Sequence, residues 1–155
     1  MKKSKSIFGA VVLIALLIYF RPLPFPDLFY EADSDAFSVT KTDILIEHGS
    51  SNMISTVYSI QEGSPEAAAI QDILDRYSYR RSLKSLFRGN SLSGNEAGYW
   101  LHFWGPNIDL DSGGTGEIRM GDRVYRMGWF GNKQNLAFMG EISAVLAEAE
   151  PISTS

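Results

Sequence analysis

Within residues 53–77, Met53-Ile-Ser-Thr-Val-Tyr-Ser-Ile-Gln-Glu-Gly-Ser-Pro-Glu-Ala-Ala-Ala-Ile-Gln-Asp-Ile-Leu-Asp-Arg-Tyr77, the spacing of the apolar side chains changes. The period is two residues at the start and 3.6 residues at the end. The first eight alternate and are rich in β-branched side chains, which is typical of a strand. Ser64 then supplies a helix N-cap, Pro65 fits the first turn, and Glu66 favours the positive end of the helix dipole. Apolar residues follow at helical spacing: Ile70, Ile73, Leu74 and Tyr77. The stretch predicts a strand followed by an amphipathic helix, and hence an α+β fold.

Strand patterns recur on both sides of this stretch, at Phe37–His48, Tyr79–Arg88 and Tyr99–Trp104. Gly121-Asp122 suits a two-residue hairpin turn, because glycine accepts positive φ at the first position. Asn135–Glu148 repeats apolar residues at helical spacing and predicts a closing helix. The order ββα, about five strands, α predicts an antiparallel sheet with helices packed on one face. The domain is expected to span residues 37–149, and residues 150–155 are expected to form a frayed tail.

The N-terminus predicts a transmembrane helix. An uncharged apolar run, Ile7–Phe20, follows Lys2, Lys3 and Lys5, which is how a segment enters a bilayer with its basic end in the cytoplasm. Fourteen residues give a helix of only ~21 Å, whereas the hydrocarbon core is ~30 Å thick. Small residues suited to signal cleavage do not follow the run closely, so we expect residues 1–21 to be an uncleaved signal anchor. This places a single-pass protein in the cell membrane with its C-terminal domain outside; the alternative is secretion after cleavage.

The segment after the anchor, residues 22–36, alternates prolines and then becomes acidic, which predicts an extended, solvated tether. After Arg21 the chain holds 18 acidic and 10 basic residues, a formal charge of −8. So acidic a domain is a poor candidate for nucleic-acid binding. The chain has no cysteine, so disulfides and thiolate metal sites are excluded.

The succession of these motifs resembles the small membrane-anchored extracellular domains of unknown function that are common in Gram-positive bacteria. The similarity extends over roughly Val39–Leu146 and is one of pattern. Its elements are the basic and apolar N-terminus, a strand centred on Asp43-Ile44, the Ser64-Pro65-Glu66 helix, the aromatic Tyr99–Phe103 strand and the Gly121–Tyr125 hairpin. The resemblance implies a location and a fold, and it implies no active site.

One basic cluster lies beyond the N-terminal segment. If Tyr79–Arg88 is a strand, Arg80, Lys84 and Arg88 share one face. Such a row would suit anionic lipids or an anionic polymer of the cell envelope. The alternatives are ion pairs with acidic residues of the preceding helix, or a solvated edge that blocks strand-to-strand association.

A second candidate surface is aromatic. Trp100, His102 and Trp104 alternate along one strand and therefore share a face. Indole rings are common platforms for sugar rings, because the C–H face of a sugar stacks on them. The alternative is core packing, since a sheet covered by two helices would bury such a face.

Catalytic signatures are weak. His48 and His102 lie 54 residues apart and have no metal-ligand spacing. Asp109–Glu117 resembles the opening of a calcium loop but lacks the later ligands, because Gly113 and Met120 stand at two required positions. We therefore expect no catalytic residue, no metal and no cofactor.

The sequence thus predicts a non-catalytic binding domain of the cell envelope, whose partner is an anionic polymer, a glycan or another protein. One alternative is an envelope hydrolase that uses His48 or His102 with a nearby carboxylate. Another is a secreted glycan-binding module that acts through Trp100 and Trp104.

Overall fold

The computed structural model describes residues 2–25, 36–47, 50–87, 91–92, 94–106 and 108–155. These residues form four helices: α1 (Lys2–Tyr19), α2 (Pro65–Arg76), α3 (Leu83–Leu86) and α4 (Lys133–Glu148). They also form eight strands: β1 (Phe37–Glu47), β2 (Ser50–Ile60), β3 (Tyr79–Arg81), β4 (Tyr99–Gly105), β5 (Ile108–Ser112), β6 (Glu117–Met120), β7 (Arg123–Met127) and β8 (Pro151–Thr154).

All eight strands belong to one antiparallel sheet, in the order β3-β7-β6-β5-β4-β1-β2-β8. Because side chains alternate along each strand, one face of the sheet collects the apolar residues of every central strand. Helices α2 and α4 pack together and supply their own apolar side chains to this face. The shared core includes Val39, Ile60, Ile70, Ile73, Leu74, Leu101, Phe103, Leu110, Ile118, Met127, Phe138, Met139 and Ile142.

Helix α2 confirms the sequence interpretation in detail. Ser64 has extended backbone angles, and its hydroxyl accepts a 3.0 Å hydrogen bond from the Ala67 amide. Pro65 opens the first turn, where a missing amide hydrogen costs nothing. The buried residues of the helix are Ile70, Ile73 and Leu74.

The fold class as predicted is wrong on two points. The sheet has eight strands, because the segment Pro151–Thr154, expected to fray, forms β8 against β2. The predicted transmembrane helix is also wrong, and with it the single-pass signal anchor. Among the described residues, no helix combines the length and apolar character needed to cross a membrane. Helix α1 is only 18 residues long, and it contains three lysines beside the apolar residues from Ile7 to Tyr19, so its mean hydropathy is reduced. The location of the protein stays a prediction.

The start of the predicted tether belongs to the folded domain. The amide of Leu23 donates to the carbonyl of Tyr79 at 2.7 Å, and the Tyr79 amide donates back at 3.0 Å. Leu23 and Phe25 are buried in the core, where the Phe25 ring contacts that of Tyr79. Alternating prolines interrupt the strand pattern here, so this docking is not predictable from the local sequence. Residues 26–35 lie outside the described residues.

Candidate functional site

The side of the sheet opposite α2 and α4, called the open face below, carries the aromatic row. Along β4, Leu101 and Phe103 are completely buried in the core. By alternation, Trp100, His102 and Trp104 point to the open face. Trp104 is 66% exposed, whereas Trp100 is half-buried. The core-packing alternative for this row is therefore wrong, because both long helices of the domain cover the other face.

Trp100 is half-buried because its ring lies flat over Gly113. A Cβ atom placed on Gly113 would come within 2.6 Å of Cζ3 of the indole and within 2.9 Å of two further ring atoms. Gly113 follows β5, next to the start of β4. Because Gly113 has no side chain, the Trp100 ring can pack against the sheet, whereas the Trp104 side chain extends into solvent.

Charged side chains of three neighbouring strands meet beside the tryptophans. The register aligns His102 of β4 with Asp111 of β5, and Asp111 with Arg119 of β6. Nδ1 of His102 contacts a carboxylate oxygen of Asp111. Nε of Arg119 donates to the other oxygen of Asp111 at 2.6 Å. Arg119 also donates to Asp109 at 3.0 and 3.2 Å, and to the carbonyl of Gly121 at 2.7 Å.

This His102–Asp111–Arg119–Asp109 network holds its charges in place. Burial disfavours the charge on the Arg119 guanidinium, but its hydrogen bonds to Asp109 and Asp111 outweigh that effect and raise its pKa. The two carboxylates thus receive several directed donors from one rigid guanidinium. The result is a fixed pattern of acceptors and donors on the open face.

A shallow cavity of ≈ 390 Å³ adjoins this network. Trp100 contributes an aromatic surface, Asp111 and Arg119 contribute charged groups, and Ser91 and Leu92 contribute an edge from the loop before β4. Aromatic area next to a few fixed polar groups is the usual composition of a small-molecule site. The depression therefore combines an aromatic surface with groups that form hydrogen bonds.

The same network bears on metal binding. Ligand atoms of His102, Asp109 and Asp111 all lie within 4.8 Å of one another. However, Arg119 donates to both carboxylates, so a divalent cation would have to displace a guanidinium from the same oxygens. The donor set fits an internal ion pair better than a cation site.

The prediction that the basic row lies on one strand is wrong. Strand β3 ends at Arg81, because Ser82 caps α3 by accepting a hydrogen bond from the Lys84 amide. Lys84 consequently lies on α3 and pairs with Glu117 at 2.6 Å, whereas Arg80 stays on β3. Arg88 and His48 lie outside the described residues.

Several site residues were missed at the sequence level. From the sequence, Asp109 and Asp111 are candidates only for a calcium loop, and Arg119 is not a site candidate. Their alternation along β5 and β6 was a usable signal for a shared face. The pairing of β4 with β5, which brings them to the tryptophans, depends on turn geometry.

Comparison with known proteins found no matching family model, no matching curated protein and no matching solved structure. The resemblance to membrane-anchored domains of Gram-positive bacteria stays a prediction.

Proposed function

We propose that this protein is a non-catalytic binding module that holds a glycan on the open face of its sheet. Trp104 and Trp100 provide stacking surfaces, and the network of His102, Asp109, Asp111 and Arg119 provides hydrogen-bonding groups. The observation that carries the proposal is the 66% exposure of Trp104 on a strand in the interior of the sheet. The proposed binding does not depend on whether the protein resides at the cell envelope.

The exposure of Trp104 has an energetic cost, and the strand that carries it is firmly held. Burying an aromatic side chain removes roughly 150–250 Å² from water, so leaving Trp104 outside forgoes a stabilisation of several kcal/mol, at about 25 cal/mol per Å². Trp104 is also held by a strand with hydrogen-bonded neighbours on both sides, β1 and β5. The strand fixes the backbone of Trp104, and an indole has only two side-chain torsions to immobilise, so a ligand that stacks on it costs little conformational entropy.

A glycan is the ligand class whose chemistry matches the whole surface. A sugar ring presents an apolar C–H face and a rim of hydroxyl groups. Indole rings stack on the C–H face, and fixed carboxylate and guanidinium groups form hydrogen bonds with the hydroxyl groups. Trp100 and Trp104 are four residues apart on one strand, which separates them by roughly 13 Å. This spacing favours an oligosaccharide over a monosaccharide.

A second candidate function is hydrolysis through His102. The contact between His102 Nδ1 and Asp111 favours it, because a carboxylate can orient a catalytic imidazole. Asp111 also accepts a hydrogen bond from Arg119, so this carboxylate is already part of the ion-pair network. A glycosidase would further need one of Asp109 and Asp111 to act as a proton donor, but both accept hydrogen bonds from the same guanidinium.

The variant Trp104→Ala tests the proposed function. We expect it to weaken binding to soluble oligomers of glucose or of N-acetylglucosamine at least tenfold, a loss of about 1.4 kcal/mol, with the melting temperature unchanged. Phe130→Ala is the matched control, because Phe130 is 90% exposed and lies beyond β7. Equal binding by Trp104→Ala and the unmodified protein would contradict the proposal. Release of reducing ends from the oligomers would favour the hydrolase instead.

A further inference from the structure

Two arginines face each other at the far end of the open face. The register of β3 and β7 places Arg80 directly opposite Arg126, and that of β7 and β6 places Arg126 opposite Glu117. Like charges directly opposite each other on neighbouring strands destabilise a sheet. The pair therefore has a cost in the protein as it stands.

The nearby acid does not neutralise this pair. One oxygen of the Glu117 carboxylate accepts from Lys84 Nζ at 2.6 Å, and the other accepts from the Ser82 hydroxyl at 3.2 Å. Within the described part of the chain, no carboxylate forms an ion pair with Arg80 or Arg126.

The donors of the two guanidinium groups are poorly satisfied. Arg80 and Arg126 each reach one backbone carbonyl, of Phe20 and Gly131 respectively, at a long 3.4 Å. The Nε atoms of both arginines are covered by neighbouring atoms and have no acceptor among the described residues. Covered donors without an acceptor are costly and uncommon in folded proteins.

The turn after β7 holds one of these groups in a fixed orientation. The Arg80 guanidinium lies 3.6 Å from the centre of the Trp129 ring. Stacking of this kind fixes the guanidinium plane and leaves the Nη end of the group, unlike the covered Nε, free to donate to a ligand. Trp129 is itself 64% exposed, so the stacked pair borders solvent.

We propose that Arg80 and Arg126, with Trp129 as a support, form a binding site for an oxyanion: a phosphate or carboxylate group with at least two acceptor oxygens. Such a group would relieve the repulsion between the arginines and accept bidentate hydrogen bonds from a guanidinium fork. Arg126 lies three strands from β4 and Arg80 lies four, roughly 14 and 19 Å at the usual strand spacing. The site is therefore distinct from the stacking positions of Trp100 and Trp104, although Arg126 lies one strand from Arg119, and it does not rest on the glycan proposal.

Titration with inorganic phosphate, followed by ¹⁵N NMR of arginine Nε–H and tryptophan indole N–H signals, tests the site directly. At constant ionic strength, we expect saturable shifts for Arg80, Arg126 and Trp129. Arg76 should not shift, because it already pairs with Asp72 and Glu141. Parallel titrations with glucose 6-phosphate, and with glucose as a control without the phosphate group, identify the source of the oxyanion. Tighter binding of the sugar phosphate than of phosphate indicates a group borne on a sugar, and equal binding indicates the free ion.

Charge-matched variants separate a site from general electrostatic attraction. Arg126→Gln should weaken phosphate binding at least tenfold, whereas Arg76→Gln, which removes the same charge, should leave it unchanged. Arg126→Gln also removes the repulsion with Arg80, so its melting temperature should not fall in the absence of phosphate. The absence of saturable shifts in the unmodified protein, or equal weakening by both variants, would overturn the proposal.

Discussion

At the scale of single residues, Gly113 and Trp100 show how one side chain determines the form of the surface. The Trp100 ring occupies the space in which any side chain at Gly113 would lie. The sequence showed this glycine only as part of a glycine-rich turn. The neighbouring Trp104 has the same residue type and the same strand face, but it projects into solvent. The difference between the two tryptophans comes from what lies beside each ring.

Gly113→Ala should therefore displace the Trp100 ring. The new Cβ would approach three ring atoms to 2.6–2.9 Å, which is shorter than a van der Waals contact. We expect a loss of about 1–3 kcal/mol of stability, typical of overpacking, together with a change in tryptophan fluorescence. Gly140→Ala is the control: nothing lies within 4 Å of its Cβ position, and the residue is inside α4. That change should stabilise the protein by roughly 0.5–1 kcal/mol. The same effect for both substitutions, or no change at Gly113, would contradict the packing described.

At the scale of secondary-structure elements, local signals predicted some elements well and others incorrectly. Helix α2 was predicted from its cap and its apolar period, because both act within one helix. The segment Tyr79–Arg88 was predicted as a strand, but it contains β3, a capping serine and α3. Its residues alternate well enough to predict a strand. The helical turn of α3 is favoured instead by hydrogen bonds between Ser85 and Val124 of β7. These are tertiary contacts, which a local sequence pattern does not show.

The core position of Ile73 on α2 can be measured. Ile73 is buried among the apolar residues shared by α2, α4 and the sheet. Ile73→Ala should reduce the free energy of unfolding by about 2–5 kcal/mol in urea denaturation, because a cavity remains. Gln71→Ala, on the polar side of the same helix, should change it by less than about 0.5 kcal/mol. A comparable effect for both substitutions would show that the face of the helix is misassigned.

The contact between α2 and α4 should be sensitive to high pH. Burial, followed by the hydrogen bond from its hydroxyl to Glu141, raises the pKa of Tyr77 from 10.0 to about 12. The unfolded chain loses this proton near pH 10 and the native state only near pH 12, so the unfolded state binds fewer protons in between. Stability should therefore fall as pH rises from about 10 to 12. Urea unfolding at several pH values should show a smaller fall for Tyr77→Phe, and an unchanged slope would argue against the contact.

At the scale of the whole molecule, the sheet divides two environments. Helices α2 and α4 cover one face and build the core, while the other face carries tryptophans, histidine and paired charges. Alternation in Tyr99–Trp104 correctly grouped Trp100, His102 and Trp104 at the sequence level. Whether that face would be buried was not predictable, because it depends on the side on which both helices pack. The pairing of His102 with Asp111 and Arg119 depends on strand register, and the docking of Leu23 on β3 joins residues 56 positions apart.

The most direct test of the open face as a ligand surface is a titration of the three indole N–H signals in ¹⁵N–¹H NMR. The chain contains only three tryptophans, Trp100, Trp104 and Trp129, so each signal reports on one place. On addition of glucose or N-acetylglucosamine oligomers, we expect saturable shifts of Trp104 and Trp100 and none of Trp129. Shifts confined to Trp129, or no saturable shift of Trp104, would contradict the account.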